Sequence, residues 1–340
     1  MNLRPVAIDA TYAVGPELSG VGIYSRELIE ALRRRVGVRL YYRPHRWRHA
    51  MAGVQRGVFG ERWMLPWHRG LFHGLNQRLP KLRFRAAVCT FHDLFVLTAE
   101  YSAPEFRQRF AAQAREAARK ADVVVCVSAF TAGQVHELLG VPRERLRVVH
   151  HGVRKLQVPD AVREPVVLTT GAIQARKNTL RLVKAFSVLP PPWRLVLAGS
   201  PGGYGAQDVL DAVANSPVRS RIEIAGYVSD GKLASLYARA SIFAFVSLDE
   251  GFGMPVLEAM AAGVPVIASN TSAIPEICGD AAVYVDPHRE ESVAAELVRV
   301  AAAEALREDL RTKGFSRASG FTWDRAADQT LAAYRELLPL

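Results

Sequence analysis

Short apolar runs alternate with amphipathic stretches along the whole chain, and most runs end in a glycine or a polar turn. Runs this short and this rich in Val, Ile and Leu read as buried strands. In the first half they are Val6–Asp9, Val38–Tyr42, Ala86–Phe91, Val123–Val127 and Leu146–Val149. In the second half they are Val166–Thr170, Arg194–Ala198, Ile222–Ala225, Ser241–Leu248, Val264–Ser269 and Ala282–Val285. Helical spacing fills the gaps: Ile23–Arg35 with Ile23, Leu28, Ile29 and Leu32, then Pro104–Ala121, Asn178–Leu189, Gln207–Ala214 and Asp230–Ala240. The tail is helical throughout, as Arg289–Ala303, Glu304–Arg317 and Trp323–Leu337. This alternation predicts parallel sheets covered by helices. The stretch Arg46–Arg83 lacks a clean period and is expected to be irregular, with a mobile part. Polar Gln157–Pro165, with two prolines, reads as a linker between two domains, the number a 340-residue chain suggests.

The segment Asp249–Gly263 carries the densest chemistry. Pro255 suits the first position of a helix and Gly263 its end. Glu250 then lies beyond the carboxyl end of a strand, where open α/β sheets bind ligands, and Glu258 lies one turn inside the helix. Backbone N–H groups between them, at Gly251, Phe252 and Gly253, suit a phosphate. The bland alternative is that Glu258 only complements the helix dipole, a contribution of about 0.3–1 kcal/mol.

Other candidates sit at strand ends. Gly20 and Gly22 follow the first strand and open the first helix, allowing close backbone approach to an anion. A dinucleotide fingerprint would need a further glycine where Ser25 stands. His92 ends the strand Ala86–Phe91, with Asp93 beside it to orient the loop, and Ser128 is a natural N-cap three residues before Thr131. Arg176 and Lys177 precede a helix, where cations are disfavoured; adjacent cations suit the growing charge of a diphosphate leaving group. Tyr227 is either a base-stacking residue or a core aromatic.

The run E-G-F-G-M-P-V-L-E-A-M-A-A-G-V-P-V-I-A-S from Glu250 resembles the E-x7-E motif of retaining glycosyltransferases of the GT-B fold, family 4. The resemblance implies an α/β protein of two Rossmann-like, doubly wound parallel-sheet domains facing an interdomain cleft. Residues 1–160 would form the acceptor-side domain, joined by a last helix, 323–340, that crosses back onto it. Residues 161–322 would bind the nucleotide sugar. The same resemblance implies that Glu250 holds sugar hydroxyls, Glu258 the ribose, and Lys177, assisted by Arg176, the diphosphate. His92 would donate a hydrogen bond to the sugar, the Gly20–Gly22 loop would lie near sugar and acceptor, and Tyr227 near the base. Many relatives carry Arg where this chain has Ala172. The style of G-A-I-x-x-R-K-N with F-H-D-L resembles bacterial mannosyltransferases, which points to GDP-mannose as donor, a glycan or lipid-linked glycan as acceptor, and a front-face mechanism with retention. No cofactor is expected, and no D-x-D pair occurs to hold a metal on the diphosphate.

Charge adds a partner question. The chain carries +11, and it is uneven: 27 basic against 14 acidic side chains in residues 1–165, and 17 against 19 in 166–340. The excess peaks at Arg33, Arg34 and Arg35 and between Arg43 and Arg85, among Tyr41, Tyr42, Trp47, Trp63 and Trp67. Basic and aromatic surface suits an anionic membrane; nucleic acid and plain solvated surface are the alternatives, and no groove-reading helix or aromatic platform supports nucleic acid. A non-catalytic sugar-binding relative is the other reading. Three separated cysteines, no secretory leader and no apolar run of membrane-spanning length suggest a cytoplasmic protein, peripheral on the membrane at most.

Overall fold

The computed structural model describes residues 5–15, 17–58 and 70–338. The chain divides into two compact units, Met1–Thr98 with Pro104–Arg154 and Phe321–Leu340, and Lys155–Gly320 with Ala99–Ala103.

The first unit runs β1 (Val6–Asp9), α1 (Gly20–Arg33), β2 (Val38–Tyr42), β3 (Gln55–Val58), β4 (Leu71–Gly74), β5 (Ala86–Phe91), α2 (Phe95–Thr98), α3 (Pro104–Lys120), β6 (Val123–Cys126), α4 (Ala129–Leu139) and β7 (Leu146–Val148). Its strands pair in parallel in the order β3-β2-β1-β4-β5-β6-β7. The second unit runs β8 (Glu164–Thr170), α5 (Thr179–Phe186), β9 (Arg194–Ala198), α6 (Ala206–Ala214), β10 (Ile222–Gly226), α7 (Asp230–Arg239), β11 (Ala240–Phe245), α8 (Met254–Ala261), β12 (Val266–Ser269), α9 (Ile274–Cys278), β13 (Ala282–Val285), α10 (Glu290–Ala302) and α11 (Glu304–Ser319). Its sheet, also parallel, has the order β10-β9-β8-β11-β12-β13. Both orders reverse direction once, at β1/β4 and at β8/β11. Loops leaving the two central strands diverge there and open a crevice at the carboxyl edge. Both faces of each sheet are covered, so strand residues are buried on both sides and show continuous apolar runs. In the second unit Leu195, Leu197, Ile242 and Ala244 pack with Leu182, Phe186 and Val209 of α5 and α6.

Two expectations are corrected. The stretch Arg46–Arg83 is not simply irregular. It contains β3 and β4, and a 3-10 segment at Pro44–His49 precedes β3. β4 is a central strand, Leu-Phe-His-Gly, buried along its length and paired on both sides, Phe72 opposite Ala7 and Ala87. Four residues carry no period, and His and Gly are weak strand formers; neighbouring strands on both sides supply what propensity does not. The expectation of a mobile part there, and Trp63 and Trp67, fall outside the described residues. The linker expected to reach Pro165 ends earlier, because β8 begins at Glu164. Pro165 is tolerated there, near a strand start. Glu164 is pinned by Arg194 and Arg239, each at 2.5 Å.

The last helix, α12 (Trp323–Leu337), is capped by Thr322, which accepts the Arg325 N–H at 3.1 Å, and packs on α1 of the first unit. Arg34 and Arg35 of the α1 end meet Asp324 at 3.0 and 2.8 Å, Arg35 also meets Asp328 at 2.7 Å, and Arg33 meets Glu30 at 3.2 Å. The arginine cluster expected to face a membrane is therefore matched, cation for anion. Tyr41 and Tyr42, expected on the same surface, are buried, whereas Trp47 is exposed with Arg56 over its ring. No helix among the described residues is long and apolar enough to cross a membrane. Cys89, Cys126 and Cys278 are all buried thiols.

Candidate active site

The second unit's crevice is built from the two loops at the β8/β11 reversal. After β8 the chain passes Gly171 and makes a short turn, Ala175–Lys177, closed by Asn178 in the left-handed region at φ +57°. Asn178 Nδ2 donates to the Val246 carbonyl at 3.0 Å and the Pro287 carbonyl at 2.7 Å. This buried strut, read from the sequence only as a helix start, bolts the Lys177 turn to the end of β11. Gly199 serves the same turn: a Cβ there would run into the Gly171 carbonyl.

After β11 the loop brings Glu250 to the Lys177 turn. Lys177 Nζ lies 2.5 Å from Glu250 Oε1, and Arg176 Nη1 lies 3.0 Å from Oε2. Arg176 Nη1 also donates to the Asp249 carbonyl, and the Leu248 N–H donates to the Arg176 carbonyl at 2.9 Å. Ser272 Oγ accepts the Glu250 N–H at 3.1 Å. The Glu250 carboxyl is pushed up by burial, but the Arg176 and Lys177 cations outweigh that and bring it down to about 2. It is a carboxylate at any physiological pH, and the trio carries one net positive charge. Lys177 also lies 4.8 Å from the centre of the Phe245 ring. Arg176 is buried and turned onto Glu250 and Asp249, so it braces the Glu250 loop rather than projecting from the helix start.

Glu258 is buried in α8, where the Tyr237 hydroxyl lies 3.2 Å from Oε2, 3.4 Å from the Pro255 carbonyl and 3.4 Å from Thr170 Oγ1. Thr170, at the end of β8, lines a small cavity with Gly171, Lys177, Phe245 and Ser247. The two glutamates thus reach one cavity, Glu250 through Lys177 and Glu258 through Tyr237 and Thr170. Between them Gly251, Phe252 and Gly253 are buried. Gly253 caps α8 at φ +104°, where a side chain is strained and would meet Ile274. The first turn of α8 is partly closed, since Pro255 has no N–H and that of Val256 donates to the Gly253 carbonyl at 3.0 Å. Tyr227 follows β10 and is 54% exposed, which excludes the core reading.

The remaining predicted residues belong to the first unit. Ser19 caps α1 by accepting the Gly22 N–H at 3.2 Å; Gly20 is exposed, and Gly22 is buried so close to Tyr12 and Leu18 that a side chain would collide. His92 is buried behind the carboxyl end of β5 and its Nε2 lies 2.9 Å from the Leu75 carbonyl. Burial lowers its pKa to about 4, against the opposing pull of that bond, so the ring is neutral. Nε2 must carry the proton it gives to Leu75, which leaves Nδ1 as an acceptor. The expected donor role is corrected to this extent: with its one N–H given to Leu75, the neutral ring offers Nδ1 as an acceptor. Tyr24 of α1 packs edge-on against His92 at 4.6 Å. Beneath, the Tyr24 hydroxyl and His73 Nε2 share Thr90 Oγ1 at 3.1 and 2.8 Å, and His73 Nδ1 lies 2.5 Å from the Tyr334 hydroxyl of α12. Burial lowers His73 to about 3 and His151 well below its ordinary value. Sequence reasoning missed this layer; its signal was a histidine inside an apolar run. Ser128 caps α4, accepting the Thr131 N–H at 3.0 Å.

The chain matches known families over most of its length. The glycosyl transferases group 1 family covers residues 155–317, and glycosyltransferase family 4 covers residues 67–155. The O-antigen chain mannosyltransferase B of Escherichia coli is 32% identical over 286 residues, covering 78% of this chain and 74% of that protein. The chain belongs to the family 4 glycosyltransferases. This glycosyltransferase shares its fold with a sucrose-phosphate synthase of Thermosynechococcus elongatus, with a TM-score of 0.80 at 22% identity over 98% of this chain and 99% of the other. It also shares it with HepE of Anabaena solved with UDP and glucose, with a TM-score of 0.75 at 17% identity over 99% and 100%. Its two parallel-sheet, Rossmann-like domains are those of the GT-B fold.

Proposed function

We propose that this glycosyltransferase moves mannose from GDP-mannose to a glycan or lipid-linked glycan acceptor, with retention and without a metal. One observation carries the reading: a buried carboxylate, Glu250, shared by two cations at the carboxyl edge of β8 and β11. The surplus positive charge of that trio suits a diphosphate, and neutralises charge that a metal would otherwise meet. With donor present, Lys177 would exchange the Glu250 carboxylate for a phosphate oxygen and stabilise the charge that grows as the sugar–oxygen bond breaks. Glu250, released, would turn to sugar hydroxyls. Glu258, held by Tyr237, would take the ribose. His92 Nδ1 would accept a hydrogen bond from the sugar. A donor phosphate oxygen would take the acceptor proton on the front face, so the protein groups position and stabilise. The choice of mannose is supported by similarity to mannosyltransferases, the Escherichia coli O-antigen chain mannosyltransferase B among them.

A thermal-shift panel of nucleotide diphosphate sugars tests this, because a ligand bound only to the folded state raises Tm by mass action. GDP-mannose should give the largest shift and Glu258→Ala should abolish most of it. An equal or larger shift with a UDP-sugar would replace the donor.

A further inference from the structure

We propose that the first unit carries a second binding site, a cleft that takes one acyl chain of an anionic membrane lipid and holds its phosphate head at the rim. This does not rest on the transfer reading. The cleft has a volume of about 390 Å³, within the range of about 300–1,000 Å³ usual for ligand sites. Its floor is apolar. Phe72 of β4 and Phe84 meet at 4.9 Å between ring centres, with Leu82 beside them. The rim is basic: among the described residues, every charged side chain lining the cleft is a cation, Lys81, Arg83, Arg119 or Lys120. Two acids stand nearby and both are engaged. Glu116 pairs with Lys120 at 2.6 Å and is held below the usual carboxylate range by that bond first, with Arg119 and Lys81 adding to it. Asp122 accepts the Ala87 N–H at 2.8 Å. The rim stays net positive.

The chemistry of the cleft selects its ligand. An apolar floor gives nothing to a hydrophilic anion such as a free phosphate, and four cations oppose a neutral or cationic amphiphile. An anionic amphiphile satisfies both: its chain covers the floor, and the Lys and Arg stems lie along it while their heads meet the phosphate. Arg33, Arg34 and Arg35 offer no such surplus, since Glu30, Asp324 and Asp328 balance them charge for charge. The cleft lies against Phe72 and Ala87, paired near the amino ends of β4 and β5, whereas His92 follows the opposite end of β5. Lipid in the cleft therefore lies at the end of the first unit's sheet opposite His92.

The test is co-sedimentation of the whole protein with phosphatidylcholine vesicles, with and without phosphatidylglycerol, alongside thermal shift with dodecyl phosphate and with inorganic phosphate. Each cation near an anionic surface contributes about 1 kcal/mol, so the double variant Lys81→Glu/Arg83→Glu should bind phosphatidylglycerol vesicles at least tenfold more weakly. Both side chains are exposed, which protects the fold. Leu82→Asp should lose the dodecyl phosphate shift, and inorganic phosphate should give none. The proposal is overturned if the wild type ignores phosphatidylglycerol, if the double variant binds as the wild type does, or if inorganic phosphate reproduces the dodecyl phosphate shift.

Discussion

Lys177 and Glu250, seventy-three positions apart, form a 2.5 Å ion pair whose carboxylate is also held by Arg176. With one buried anion between two cations, removing any member has an unequal effect. Lys177→Ala keeps Glu250 paired with Arg176, so the fold survives, but the charge proposed to meet the leaving group is gone. We expect kcat to fall by about 10²–10³-fold, the usual cost of deleting one such electrostatic group, with donor KM changed much less. Steady-state kinetics with donor varied checks this. A loss confined to KM would mean that Lys177 binds the ground state and nothing more.

Glu258 tests the other end of the loop. Glu258→Ala should raise donor KM at least tenfold and leave kcat nearly unchanged, because a ribose contact is made equally in ground and transition states. Tyr237→Phe, which removes the hydroxyl 3.2 Å from that carboxylate, should give the same pattern, weaker. Unchanged donor affinity by calorimetry would remove the ribose role.

Much of this site was legible in the chain. The apolar run before Asp249, the glycines after Glu250 and the Pro255 helix start placed Glu250 and Glu258 around one loop, because strand period and capping chemistry are local. What escaped depends on partners distant in sequence. Leu71–Gly74 is a strand only because β1 and β5 flank it. The direction of the His92 hydrogen bond depends on Leu75, and the neutralisation of Arg34 and Arg35 on Asp324 and Asp328, some 290 positions away. Asn178 looked like the start of a helix; its work is to hold two carbonyls that no periodicity reveals.

Three buried histidines set the acid limit of the first unit. His73, His92 and His151 all have folded pKa values lowered by burial, to about 3 for His73 and about 4 for His92. The unfolded chain, with histidines near 6.5, binds more protons between pH 6.5 and pH 4. The stability they confer is complete above 6.5 and is lost as pH falls through that window, by about 1.4 kcal/mol per pH unit for His73 and for His92, with His151 acting in the same direction. Glu250 acts lower, its contribution fading only between about 4.5 and about 2. Hydrogen exchange at pH 5 should show the first unit's strands opening before those of the second. Uniform protection in both would contradict the assignment. His92 itself should add no limb to the pH–rate profile above pH 5.

The α1–α12 ion pairs are exposed and should be screened by salt. Arg34→Ala/Arg35→Ala should lower Tm by a few degrees at low ionic strength and by nothing resolvable at high salt. Its binding to phosphatidylglycerol vesicles should stay within twofold of wild type. A large loss of vesicle binding would return the membrane contact to this cluster.

The most direct test follows the anomeric protons of the sugar by NMR while the protein acts on GDP-mannose in EDTA, with water or a mannoside as acceptor. The account predicts GDP release and a first-formed product that keeps the α configuration of the donor, both lost in Glu250→Gln. A β-configured product, or release undiminished in that variant, would contradict it.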